Sequence, residues 1–63
     1  MEAKLREVKD MMVIGFFAGR DIDSDTRYEL REWYKSLSDS FKNGSLNSSE
    51  IEEFKEHLFD TFA

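Results

Sequence analysis

A chain of 63 residues is sized for a single domain, and the absence of cysteine removes disulfides and thiolate zinc sites as means of stabilising it. Hydrophobic residues make up 40% and aromatics 14%, enough apolar mass to fold rather than remain disordered. A core of this size contributes no more than about 3–5 kcal/mol, so support from a carboxylate-bound ion or from another chain is expected.

The net charge of −5 is uneven: four basic against three acidic groups over residues 1–20, four against six over 21–43, and one against five over 44–63. An acidic C-terminal third repels phosphate, which argues against direct nucleic-acid binding and suits a basic partner protein. The longest apolar run, Met11 to Ala18, falls far short of the ~20 residues that span a bilayer. The charged first ten residues do not read as a signal peptide, so a cytoplasmic protein is expected.

Proline is absent and glycine is confined to Gly15, Gly19 and Gly44, a pattern that favours a few uninterrupted helices over a many-turned β fold. A first helix is expected over about residues 2–18. Met1, Leu5, Val8, Met12 and Phe16 share one face at three- and four-residue spacing, Glu2 can pair with Arg6 one turn on, and Gly19 is a natural stop. Gly15 weakens this helix by about 1 kcal/mol and suits a close helix crossing.

A second helix is expected over 24–42, capped by Asp23 or Ser24, with Asp25 at its positive end and an apolar stripe of Leu30, Trp33, Tyr34, Leu37 and Phe41. Gly44 closes it. A third, over 48–62, has the clearest start: Asn47 as N-cap, Glu50 completing a capping box, Leu46 and Ile51 placed as a hydrophobic staple. Its inward stripe is Ile51, Phe54, Leu58 and Phe62.

The fold expected from these elements is an all-α three-helix bundle occupying residues 1–63 as one domain. The short link makes the second and third helices an antiparallel αα-hairpin. Antiparallel packing would set Lys35 near Glu53 and Arg27 near Asp60.

The first helix carries the feature that points to function. At about 100° per residue, Ile14 lies opposite the inward face, and Met11, Val13 and Phe17 lie to either side of it. The segment is apolar around its whole circumference, more than two neighbouring helices can cover, and a contiguous exposed apolar patch marks an interaction site. Tyr28 and Phe59 also fall off their core stripes and are candidate extensions. The competing reading folds the loop 20–25 over the far side of a central first helix.

The expected function is therefore a small regulatory module, inhibitor or adaptor, that binds another protein or itself through Met11, Val13, Ile14, Phe17, Tyr28 and Phe59. The acidic surface of Glu50, Glu53, Glu56 and Asp60 lies nearby. Self-association through one shared patch would make a twofold dimer. The alternative is a structural subunit of a larger assembly.

Asp21, Asp23, Asp25, Glu29 and Glu32 fall at positions one, three, five, nine and twelve of a segment that resembles an EF-hand calcium loop, with Tyr28 at the usual apolar position. The resemblance implies a Ca²⁺ site built from Asp21, Asp23, Asp25 and Glu32. It departs from the pattern at Thr26, where the loop's sharp turn needs glycine and a β-branched residue resists positive φ. A second partial match over 39–50 has Gly44 in register but Phe41 at a ligand position.

No catalytic constellation is present. His57 has no second histidine, cysteine or activated nucleophile beside it, and the serines at 36, 38, 40, 45, 48 and 49 suit caps and turns. An enzyme is not expected. A helix-turn-helix reading of the last two helices fails on charge, since the would-be recognition helix carries Glu50, Glu52, Glu53, Glu56 and Asp60 against Lys55 alone.

Overall fold

A computed structural model describes residues 2–18 and 22–62. It contains three helices: α1 (Glu2–Phe17), α2 (Ser24–Lys42) and α3 (Ser48–Phe62). All three touch one another, and the molecule measures 35 × 18 × 15 Å. Met1 and Gly19, expected to extend and to stop the first helix, lie outside the described residues. The first helix ends one residue earlier than its apolar pattern, although the Ala18 N–H still donates to the Ile14 carbonyl at 2.8 Å.

The ends of α2 and α3 follow from local chemistry. Asp23 is extended, at φ −67° and ψ 160°, and its Oδ1 accepts from the Thr26 N–H at 3.3 Å. At the other end Gly44 takes φ +73°, the left-handed conformation that glycine adopts cheaply. The Gly44 N–H donates to the Phe41 carbonyl and the Ser45 N–H to the Ser40 carbonyl, at 3.1 and 2.9 Å, the two bonds of a Schellman stop. Asn47 then caps α3, its Oδ1 accepting from the Glu50 N–H at 3.1 Å. Ser49, whose hydroxyl donates to the same Oδ1, takes part where a full capping box would have Glu50 reach back to the Asn47 N–H. That reciprocal bond is not formed.

Aromatic contacts set the packing. Trp33 of α2 lies 5.2 Å from the Phe54 ring and 5.0 Å from His57, joining α2 to the middle of α3. Arg27, near the start of α2, stands 5.7 Å over the ring of Phe16, near the end of α1, so these two are antiparallel. Lys55 of α3 reaches Glu7 of α1 at 3.1 Å, and Phe62 meets Phe16 edge-on at 6.0 Å, which makes α1 and α3 parallel.

The core is entirely apolar: Leu5, Val8 and Met12 from α1, Leu30 and Leu37 from α2, Ile51, Phe54 and Leu58 from α3, and Leu46 from the turn. Val8, Leu30, Ile51, Phe54 and Leu58 are sealed from water, each such side chain favouring the folded state by about 1.5–3 kcal/mol. Leu46 and Ile51 are both in this cluster, as a staple requires. Trp33, Tyr34, Phe16 and Phe62 pack against its edge, and Phe41 remains 37% exposed.

The expected charge register is corrected. Among the described residues the ion pair is Lys55–Glu7; Lys35–Glu53, Arg27–Asp60 and Glu2–Arg6 are not formed. The reason is the hand of the bundle. Trp33 marks the flank of α2 that meets α3, and Arg27 sits about 120° away around the helix, on the flank that meets α1. Arg31 and Lys35 follow Arg27 at four-residue steps that turn about 40° each, so the row starts against α1 and winds outward until Lys35 points to solvent.

Candidate functional site

α1 and α3 run side by side in the same direction, and between their C-terminal halves lies an open groove of about 490 Å³. Met11, Ile14, Gly15 and Ala18 form one wall and Leu58, Phe59 and Phe62 the other, with Asp60 at the rim. Gly15 is buried, and a Cβ built there would overlap the Phe62 ring. The glycine is thus the notch that lets the last turn of α3 close against α1.

Ile14 is 66% exposed, Phe59 58% and Phe17 86%. Phe17 follows Ile14 by three residues and carries the apolar surface from the groove onto the outer face of α1. Val13, 37% exposed, extends it further around the helix, while Met11 is half-buried and belongs to the groove floor. Ile14 and Phe17 are exposed; Arg20 and Asp21 of the loop expected to cover them lie outside the described residues.

Tyr28 is 66% exposed but stands apart. It lies two residues from buried Leu30, about 160° around α2, and points away from the core without reaching the groove. The groove's far wall, by contrast, was not legible from α1 alone. Phe59 and Phe62 come to it because Phe62 seats on Gly15, and the only sequence signal for that contact is a glycine inside an otherwise strong helix.

The four acidic residues expected to form one surface on α3 divide. Glu50 and Glu53 stand seven and four residues before His57, on the flank that meets α2, while Asp60 lies at the rim of the α1–α3 groove. Glu56 is three residues before Phe59 and, with Glu52, borders the outer wall of the groove. Asp10 stands one turn before Ile14 on α1. The neighbourhood of the apolar surface is therefore acidic, and neither α1 nor α3 has a basic residue in its last turn to offset the negative end of the helix dipole.

Two titratable groups respond to this framework. The Thr26 hydrogen bonds hold the Asp23 carboxyl below its ordinary value. The hydrogen bond and charge of Glu7 raise the Lys55 ammonium above its own.

The described residues do not gather the candidate calcium ligands into one ring. Ser24 onward is helical, so Asp25 and Glu32 stand about 10 Å apart along α2 rather than around a ring. The Asp23 carboxylate is engaged as a cap, and Asp21 lies outside the described residues. Among the described residues no group of three His, Cys, Asp or Glu side chains is gathered to hold a metal ion. His57 lies against Trp33 rather than beside a nucleophile. No helix among the described residues is long and apolar enough to cross a membrane.

What the chain places together, then, is an apolar groove and ridge bordered by carboxylates. No protein-family model matches the chain, and no curated protein and no solved structure matches it significantly, so a function must be read from that surface.

Proposed function

We propose that this protein acts by docking onto another protein through the groove and ridge formed by Ile14, Phe17 and Phe59, as a regulatory module of inhibitor or adaptor type rather than an enzyme. The observation that carries the reading is the exposure of these three side chains, between 58% and 86%, beside a core that already holds nine buried apolar residues. Folding alone does not require them to be apolar, and large apolar side chains grouped on a small surface are characteristic of interfaces.

The border of the groove favours the kind of partner. Asp10, Glu52, Glu56 and Asp60 would repel a second copy meeting the same surface across a twofold axis, whereas an apolar knob flanked by lysine or arginine meets complementary charge. The stretch from Met11 to Ala18 is about 10 Å long, the distance from i to i+7 on a partner helix. A helix with a short apolar stripe and basic flanks fits it.

Molar mass by light scattering across concentration, combined with titration of a lysine-flanked amphipathic peptide, tests the reading. The expected result is peptide binding with amide shifts at Ile14, Phe17 and Phe59, lost in Ile14→Ser/Phe17→Ser while helix content is unchanged. A discrete dimer that the same variant dissociates would make the partner a second copy. A monomer that binds no peptide at millimolar concentration would overturn the proposal.

A further inference from the structure

Several basic residues of this acidic protein lie along the seam between α1 and α2. Arg27 is fixed on the α1-facing flank of α2 by its position over Phe16, and Arg31 follows it one turn on. Toward the other end of the same flank, Arg6 and Lys9 of α1 and Lys42 of α2 line a groove of about 280 Å³ between the two helices. Leu5, Tyr34 and Phe41 give it an apolar floor, and Ser38 adds a hydroxyl. Glu2 is the carboxylate that shares the lining, but the ion pair among the described residues is Lys55–Glu7, on a different side of the bundle.

Rows of like charge at four-residue spacing oppose the helix that carries them. Here the opposition is avoidable, because the chain has 14 acidic residues that could have been interleaved. Asp23 and Asp39 stand at the two ends of that row, Asp25 and Glu29 lie on the far flank of α2, and Glu53 lies on the α2-facing flank of α3.

We infer that the α1–α2 groove is a second docking site, and that its occupant is an acidic, amphipathic peptide segment of a protein partner. Its carboxylates would meet Arg6, Lys9 and Lys42, and its apolar side chains would lie over Tyr34 and Phe41. A long polyanion such as a single-stranded nucleic acid fits less well. The molecule is only 18 × 15 Å in cross-section, so phosphates running beyond the groove come within reach of the acidic flanks, where screening acts over about 8 Å. A short peptide engages the cations alone.

The site is independent of the α1–α3 groove, and one titration separates the two. The isotope-labelled chain is titrated with a helical peptide bearing leucines at i, i+3 and i+7 flanked by glutamates, and separately with an oligothymidylate of equal charge. Amide shifts at Arg6, Lys9, Ser38 and Lys42 are expected with the peptide, weakening as salt rises. Arg6→Glu/Lys9→Glu should bind roughly tenfold more weakly or worse, as loss of interface charge pairs implies. Lys4→Glu, on the flank toward α3, and Ile14→Ser/Phe17→Ser should bind as the parent does. Circular dichroism confirms that each variant is folded, and Arg6→Gln/Lys9→Gln provides a milder version. Unchanged affinity in the charge-reversed chain, shifts centred on Ile14 and Phe59, or tighter binding of the oligothymidylate at the same amides would each overturn the inference.

Discussion

Helices α1 and α3 lie parallel, share one core and present different things to water. α3 is divided cleanly: Ile51, Phe54 and Leu58 are sealed inside, and its outer face is charged apart from Phe59. α1 has the same kind of inner stripe in Leu5, Val8 and Met12, but its last two turns keep Val13, Ile14 and Phe17 outside. An amphipathic helix is explained once its apolar stripe is covered. α3 is nearly explained by the fold, α1 only by half, and the unexplained half is where a function has to be sought.

Substitutions can break that comparison or sharpen it. Phe54→Ala, on the inner face of α3, should cost about 3–5 kcal/mol. That equals the whole stability expected of so small a core, so the variant should show no cooperative thermal transition by circular dichroism. Asn47→Ala removes the cap of α3 and should cost about 1 kcal/mol in a denaturant titration.

The contact between the two helices is tested by a cycle. Gly15→Ala alone should give little net change, since better helix propensity is offset by displacement of the Phe62 ring. In a Phe62→Ala background the same change should stabilise by about 1 kcal/mol. If Gly15→Ala stabilises equally in both, the ring does not seat on the glycine.

Phe17→Ser should alter stability by no more than about 0.5 kcal/mol, as a surface change outside the core does. A larger loss would mean that the outer face of α1 is structural after all, and the distinction from α3 would vanish.

The smallest effect is electrostatic. The Lys55 ammonium is raised by Glu7, so the stabilisation it gives between α1 and α3 is complete below the ordinary lysine value and is lost as pH climbs through the raised one. Asp23 has the opposite sign. Its carboxyl is lowered, so its contribution is complete above about pH 4 and disappears as pH falls through the depressed value. Melting temperatures at pH 3, 7 and 11 should fall at both extremes, with Glu7→Gln abolishing the Lys55 share of the alkaline fall.

Most of the fold was legible in the sequence because its signals are local. Asp23, Gly44 and Asn47 mark helix ends through bonds to residues one turn away, and the stripes of α2 and α3 follow from a period of 3.6. The exposure of Ile14 and Phe17 was legible for the same reason. Everything that depends on which side of α1 the α2–α3 hairpin packs was not. A helical period fixes faces but not the hand of a bundle, so it does not show that Arg27 meets Phe16 of α1 rather than Asp60 of α3, nor that Tyr28 stands apart from the groove. The segment that resembles a calcium loop teaches something else. Spacing alone cannot tell a ring of ligands from a cap followed by a helix, and the Thr26 N–H bonded to Asp23 shows the cap.

The three seams between the helices carry three unlike surfaces: apolar between α1 and α3, cationic between α1 and α2, anionic between α2 and α3. A rod coated evenly would be held the same way from any side. This one has a heading, and whichever seam a neighbour grips determines where the remaining two are aimed.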